Sequence, residues 1–208
     1  MKKARRKFIS FGLAAGAGLA LAGLGALWPE RPFVRPPRAL PGGDFAARCL
    51  RCGACVQVCP TRALALLDLE ADFRHVGVPW LEARRGGCTA WQDGCRLCAA
   101  ACPSGALDPA MPLTVVGVAS FPEKLCTNCM LCLRRCPVPG AVYFPNPEGG
   151  PPWSKEQEKQ IPAPLRSVHS SIKPVIDQSL CVGCGLCAAV CAPKIIRLFP
   201  PSSVKWGL

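Results

Sequence analysis

Sixteen cysteines are distributed over this chain of 208 residues in four runs that share nearly the same spacing. In the first, third and fourth runs, two, two and three residues separate successive cysteines, whereas the first gap of the second run has six. A proline follows the last cysteine directly in the first three runs and one residue later in the fourth. Every cysteine belongs to a run, so none is left over for another role. The runs are Cys49, Cys52, Cys55 and Cys59; Cys88, Cys95, Cys98 and Cys102; Cys126, Cys129, Cys132 and Cys136; and Cys181, Cys184, Cys187 and Cys191.

This spacing predicts four 4Fe-4S clusters. The first three cysteines of such a run ligate one cubane cluster from a tight loop, and the fourth ligates a second cluster, as in bacterial two-cluster ferredoxins. Because the fourth cysteine crosses over, we pair the first run with the second and the third with the fourth. The predicted ligand sets are Cys49, Cys52, Cys55 and Cys102 for cluster 1; Cys88, Cys95, Cys98 and Cys59 for cluster 2; Cys126, Cys129, Cys132 and Cys191 for cluster 3; and Cys181, Cys184, Cys187 and Cys136 for cluster 4.

Cysteine-rich chains also occur as disulfide scaffolds, as zinc proteins, or as proteins whose clusters only hold the fold. A disulfide framework does not need four copies of one spacing that each end near a proline. A four-cysteine zinc site needs two cysteine pairs, not a triplet with a fourth ligand three residues on. Four clusters in so short a chain favour electron transfer, although individual clusters with a structural role stay an alternative.

The composition fits a loop-rich protein stabilised by its cofactors. The chain has 23 prolines, 20 glycines and one tyrosine, which favours short elements and a small apolar core, so that bound metal supplies much of the stability. The formal net charge is +12. Each oxidised cluster with its four thiolates carries about −2, so four clusters lower the total to about +4. No basic stripe is interleaved with aromatic residues, and we expect no nucleic-acid partner.

The N-terminus has the pattern of an export signal. Five cations at positions 2–7 precede an uncharged stretch from Ile9 to Trp28, and the pair Arg5-Arg6 is typical of the twin-arginine route. Ala20-Leu21-Ala22 offers a cleavage site, but the stretch is also long enough to anchor the chain in a bilayer. In either case, the basic cluster predicts that everything after Trp28 lies outside the cytoplasm.

We therefore predict an α+β fold of two tandem two-cluster ferredoxin-like modules, loop-rich, after an N-terminal signal or anchor helix. Residues 1–28 form the signal or anchor, and residues 29–44, with prolines and a closing glycine pair, form a stiff linker. The first module covers residues 45–112 and the second module covers residues 113–208.

Three apolar stretches are candidates for regular structure inside the modules. Residues 62–70 are expected to form a strand or a helix, and residues 113–118 and 194–199 are expected to form strands. Two insertions interrupt the minimal ferredoxin pattern. Residues 71–87 are expected to form a surface loop, and the proline-rich residues 144–177 either a contact-ordered loop or a solvated excursion.

Several segments outside the cysteine spacing resemble the NapG/MauM family of ferredoxin-type proteins, which accompany periplasmic nitrate reductase or methylamine dehydrogenase. They are Arg-Pro-Pro-Arg-Ala-Leu-Pro at 35–41, Gly-Val-Pro-Trp-Leu-Glu-Ala-Arg at 77–84, Cys-Pro-Ser-Gly-Ala-Leu-Asp at 102–108 and Val-His-Ser at 168–170. The resemblance covers nearly the whole chain. It implies four 4Fe-4S clusters at the outer face of the cytoplasmic membrane and, in the nitrate-reductase branch, a polytopic membrane partner that oxidises quinol.

The chain has no nucleophile-and-base constellation, no phosphate-binding loop and no spare cysteine for another cofactor, so we predict no catalytic site. Three functions follow: an electron-transfer protein between a quinol-oxidising membrane partner and an exported reductase or cytochrome; a maturation factor that donates electrons to an exported enzyme such as methylamine dehydrogenase; or the iron-sulfur subunit of a molybdopterin oxidoreductase. A twin-arginine signal of its own argues against the third.

Five cations lie within or beside the cysteine runs. They are expected to raise the potentials of nearby clusters by stabilising the added electron, with extension into solvent as the alternative. They are Arg51, Arg96, Arg134, Arg135 and Lys194.

Overall fold

The computed structural model describes residues 33–71 and 73–201. The predicted signal or anchor at residues 1–28 and the first part of the predicted linker lie outside these described residues. Within the two described ranges, no helix has the length and apolar character needed to cross a bilayer.

The described residues form only short elements, because prolines and left-handed residues interrupt the chain repeatedly. The helices are α1 (Asp44–Arg48), α2 (Ala54–Gln57), α3 (Ala90–Asp93), α4 (Leu97–Ala100), α5 (Leu131–Arg135) and α6 (Leu186–Val190). The strands are β1 (Leu64–Leu66), β2 (Pro79–Leu81), β3 (Val118–Ser120), β4 (Val142–Tyr143), β5 (Val175–Ile176) and β6 (Arg197–Phe199). Three 3₁₀ helices cover Glu123–Leu125, Lys155–Gln160 and Ala163–Arg166.

The strands pair in three antiparallel two-stranded sheets, β1 with β2, β3 with β6, and β4 with β5. In the third sheet, Val142 faces Ile176. The β3–β6 pairing joins the two ends of the predicted second module. An isolated bridge between Ala39, in the predicted linker, and Leu107, near the end of the predicted first module, has the corresponding position. Each pairing closes a chain segment that contains two complete cysteine runs.

The expected strands are present, but one begins later than predicted. Strand β1 lies within residues 62–70, and β6 within residues 194–199. Of residues 113–118, only Val118 is in a strand. The reason is a contact with the fourth cysteine run: the amide of Val116 donates to the carbonyl of Val182 at 3.2 Å. A Cβ on Gly183 would lie 2.5 Å from the backbone nitrogen of Gly117, so residues 116–117 pack against that loop.

The segment predicted as a linker packs against the first module over its described part. Val34 is buried, and its carbonyl accepts a hydrogen bond of 2.8 Å from the amide of Leu81. The amide of Leu40 donates to Ala106 at 3.0 Å. The expectation of a surface loop at residues 71–87 is wrong for the second half of this insertion, which contributes β2 and buries Val78 completely because it packs into the apolar core.

The apolar core is continuous between the two modules. The larger cluster of buried side chains combines Leu81 and Leu107 of the first module with Ala119 and Ile196 of the second. A smaller cluster joins helix α5 to the second insertion, in which Ile161 is 1% exposed. This insertion is therefore ordered by contact with the module.

Candidate iron-sulfur centres

Three cavities are each lined by the four cysteines of one predicted ligand set, and their empty volumes are closely similar, at about 330, 350 and 340 Å³. The lining sets are Cys49, Cys52, Cys55 and Cys102; Cys126, Cys129, Cys132 and Cys191; and Cys136, Cys181, Cys184 and Cys187.

The fourth predicted set also lies together. Burial raises the pKa of Cys88 to about 12, and repulsion from the neighbouring thiolates of Cys98, Cys59 and Cys95 adds to the effect. The pKa of Cys98 is raised to about 11, first by burial and then by Cys95 and Cys59. Cys59, from the first run, is thus a neighbour of Cys88 and Cys98 of the second run.

In three of the runs, two left-handed residues shape the loop that carries the first three cysteines. They occupy the positions just before and just after the second cysteine of the run. Successive residues of alternating handedness turn their amide groups toward one point, which forms a concave site for an anion. The stretched second run departs from this pattern, since Gly94 is left-handed but Arg96 has φ −136°. The left-handed pairs are Arg51 and Gly53, Asn128 and Met130, and Gly183 and Gly185.

Backbone amides donate directly to several of the sulfurs. Ala63 donates to Cys59 Sγ at 3.3 Å, and Leu107 donates to Cys102 Sγ at 3.4 Å. Burial alone would raise the pKa of Cys102, but hydrogen bonds from Leu107 and Ser104, with a smaller effect of Ala106, lower it below its ordinary value. Such bonds stabilise negative charge on sulfur and thereby raise the reduction potential of a bound cluster.

All sixteen cysteines are free thiols in the structure, not the pairs that a disulfide scaffold would contain. Burial raises the pKa of Cys55 and Cys132 to about 12 and that of Cys184 to about 11. These thiols are protonated at neutral pH without metal, so loading must release protons. Within the described residues, no three cysteine, histidine or carboxylate groups converge on one point to hold a single metal ion. A cubane cluster does not need such convergence, because its four cysteines ligate different irons.

The four sets are neighbours in the order 1, 2, 4, 3. Cys55 of set 1 is close enough to Cys98 of set 2 for their charges to interact. Between the modules, the amide of Cys88 donates to the carbonyl of Cys184 at 2.7 Å. Cys187 of set 4 in turn interacts with Cys132 of set 3. The spatial order therefore differs from the order along the chain.

The two terminal sets each contain a solvent-exposed cysteine, Cys52 in set 1 and Cys129 in set 3. The four cysteines of set 2 are half-buried, and buried cysteines occur in set 4 (Cys184 and Cys187) as well as in the terminal sets (Cys55 and Cys191). The ends of the series are thus the places where a partner can approach a ligand most closely.

One of the five cations beside the runs has a different role from the expected one. The guanidinium of Arg134 forms two short hydrogen bonds with the carboxylate of Glu158, at 2.5 and 2.6 Å. Hydrogen bonding to Arg134 is the main cause of the lowered pKa of Glu158. Because the carboxylate compensates its charge, Arg134 contributes less positive potential than a free cation would. Sequence reasoning missed Glu158, as it lies 24 residues away in the insertion.

Four cysteine-lined sites in a loop-rich fold of two similar modules define a ferredoxin-type iron-sulfur protein. The model of the 4Fe-4S dicluster domain family matches this chain twice, at residues 48–106 and 125–195. The chain belongs to the NapG/MauM family of ferredoxin-type proteins and carries four 4Fe-4S clusters. The predicted cofactors and family are thereby confirmed.

The curated relatives are similar over most of their length. The methylamine utilization ferredoxin-type protein MauM of Paracoccus denitrificans is 32% identical, over 91% of this chain and 82% of the relative. MauM of Methylophilus methylotrophus is 34% identical, over 80% of this chain and 70% of the relative. The ferredoxin-type protein NapG of Escherichia coli is 30% identical over 98% and 89%.

Proposed function

We propose that this protein relays electrons at the outer face of the cytoplasmic membrane, from a quinol-oxidising membrane protein to an exported reductase or cytochrome. The observation that carries the proposal is the continuous series of four cysteine sets with an exposed cysteine at each end. A series of this kind suits passage of an electron from one end of the molecule to the other. Bound 4Fe-4S clusters supply one-electron redox chemistry at the potentials that their surroundings set.

We assign each predicted cysteine set as the ligands of one cluster. The concave loops of the first, third and fourth runs direct amide groups at an anionic group, and burial excludes water from Cys184 and Cys187 in the interior of the series. At the ends, Cys52 and Cys129 remain accessible, so that partners exchange electrons there. The chain itself thus provides the ligands and one accessible cysteine at each end of the series.

The N-terminal sequence supports the proposed location, because Arg5-Arg6 and the mildly apolar stretch after it favour twin-arginine export. This route carries folded proteins, so clusters would be inserted in the cytoplasm. Replacing both arginines with lysine should retain the protein in the cytoplasm with its iron intact. Unchanged export of this variant would contradict the proposed route.

The MauM relatives favour a second candidate function. Their names refer to methylamine utilization, and several are 31% to 34% identical to this chain. In this case the protein would donate electrons during maturation of an exported enzyme such as methylamine dehydrogenase. It would bind that enzyme transiently, whereas a respiratory relay would form a lasting complex with its partners.

An anaerobic pull-down from native membranes through a C-terminal tag tests the proposal, with iron and sulfide counted in the same sample. About sixteen irons per chain, with a polytopic membrane protein and a reductase or cytochrome in near-equal amounts, is the expected result. Substoichiometric recovery of an immature enzyme would favour the maturation function. Full iron with no partner would refute a lasting complex, and a low iron content would refute the ligand assignment.

A further inference from the structure

Two polar side chains are buried among the described residues, and both lie where the third cysteine run meets the insertion at residues 144–177. Asn128, in the third run, is 2% exposed, and Glu158, in the insertion, is 7% exposed. A buried polar group destabilises the fold unless it is hydrogen-bonded. Their partners therefore indicate what holds this part of the molecule together.

The side-chain amide of Asn128 is hydrogen-bonded to the insertion. The two N–H groups of its side-chain amide are shared among the carbonyls of Leu165, Ser167 and Ile172, which lie 3.0, 3.1 and 2.8 Å from the nitrogen. Asn128 is also left-handed, with φ 55°, a conformation that asparagine tolerates better than most residues. One residue thus shapes the ligand loop and binds three carbonyls of a segment some 40 residues away.

The equivalent positions of two other runs have no such role. Arg51 in the first run and Gly183 in the fourth run are left-handed as well, with φ 56° and 73°. The side chain of Arg51 is exposed, and Gly183 has none. The left-handed conformation therefore belongs to the loop itself, whereas the buried amide is a feature of the third run.

Further contacts fasten the same two segments. The ammonium group of Lys173, in the insertion, donates to the carbonyl of Cys126 at 3.0 Å, and Glu158 holds Arg134, which lies between Cys132 and Cys136. A Ser154–Gln157 capping box starts the 3₁₀ helix that carries Glu158. The insertion consequently contacts the third run on both sides of Cys129.

We propose that residues 144–177 clamp the third run and that Asn128 is a positioning residue that couples binding of cluster 3 to folding of the clamp. Ligation of Cys126, Cys129 and Cys132 holds the loop in the conformation that presents the Asn128 amide. Without ligation the loop relaxes, and three carbonyls of the insertion lose their donor. This inference rests on the cluster assignment above and is independent of which proteins exchange electrons with the chain.

The test compares Asn128→Ala with Arg51→Ala, the matched change at the equivalent position of the first run, in full-length protein purified anaerobically. Iron is counted, and the rate of trypsin cleavage after Arg166 is measured. In the folded clamp the Arg166 guanidinium donates to the carbonyls of Ile161 and Lys159, so cleavage there requires the clamp to open. Wild type and Arg51→Ala should hold about sixteen irons, and Asn128→Ala about twelve. Cleavage after Arg166 should be about tenfold faster in Asn128→Ala only.

Sixteen irons and unchanged cleavage in Asn128→Ala would overturn the clamp, whereas a low count in wild type would instead refute the cluster assignment. If Asn128→Ala does not fold, a chelator is added to the wild-type protein to remove its clusters. Cleavage after Arg166 and the electron paramagnetic resonance (EPR) signal of cluster 3 are then measured over the same time course. Cleavage after Arg166 must then begin as that signal is lost. Loss of the signal without cleavage would refute the coupling.

Discussion

The junction between the modules depends on the absence of a side chain at Gly87. A Cβ at this position would lie 2.4 Å from the Cα and 2.5 Å from the backbone nitrogen of Leu186. Ordinary carbon–carbon contact needs about 3.5–4.0 Å, so Gly87→Ala must push the two backbones apart. Gly87 precedes Cys88, whose amide bonds to Cys184 of the other module, and the same shift would break that bond.

The cost of Gly87→Ala follows from these two contacts. Overpacking against backbone costs about 1–3 kcal/mol, here toward the upper end, and the lost hydrogen bond costs about 1 kcal/mol more. A total loss of about 3–4 kcal/mol in the free energy of unfolding lowers the midpoint of thermal unfolding by roughly 6–16 °C in a chain of this size. The control is Gly42→Ala, because Gly42 is left-handed but has nothing within 4 Å of an added Cβ.

Holo-protein unfolding is followed at one scan rate for both variants, since loss of clusters makes the transition irreversible. Gly42→Ala should lower the apparent midpoint by only roughly 2–4 °C, from about 1 kcal/mol of backbone strain. Pulse radiolysis of the isolated chain should also show slower electron exchange between the modules for Gly87→Ala. Equal midpoints in the two variants, with equal exchange, would refute the role assigned to this contact.

Three further predictions concern individual centres. Ser104→Ala should lower the reduction potential of cluster 1 by a few tens of millivolts, the equivalent of a weak hydrogen bond, because the Ser104 hydroxyl lies 3.6 Å from Cys102 Sγ. A redox titration monitored by EPR checks this. As the control, Thr61→Ala should lower the potential of cluster 2 instead, because the Thr61 hydroxyl lies 3.7 Å from Cys59 Sγ. Cys191→Ala should remove the EPR signal of cluster 3 and leave cluster 4, and loss of cluster 4 would contradict the crossing rule. The pKa of Glu158 in the folded protein is lowered from its ordinary value of 4.5 by the hydrogen bond from Arg134. The ionised carboxylate therefore contributes its full stabilisation above pH 4.5, and this contribution is lost as the pH falls through the folded pKa. The difference in unfolding midpoint between wild type and Glu158→Gln should therefore be constant well above pH 4.5 and shrink as the pH falls below 4.5. A difference that stays constant below pH 4.5 would show that the ion pair contributes nothing.

Local features of the fold were predictable from the sequence, and contacts between distant segments were not. The strand predicted within residues 194–199 is present as β6 (Arg197–Phe199). The strand expected at residues 113–118 was placed too early, because Gly117 packs against Gly183. Arg134 was interpreted as a free cation because its partner lies in an insertion without apolar periodicity. Each error came from a partner that is remote in sequence.

The sequence by itself determined the family and the four clusters, and it predicted four sets of cysteine ligands whose members lie near one another in the structure. It could do so because three members of each set lie within a few residues of one another, and covalent geometry keeps them on one loop. Only the tertiary structure decided the spatial order 1, 2, 4, 3, the contact at Gly87 and the attachment of the insertion through Asn128. These features depend on packing and hydrogen bonds between segments tens of residues apart, which no local pattern encodes.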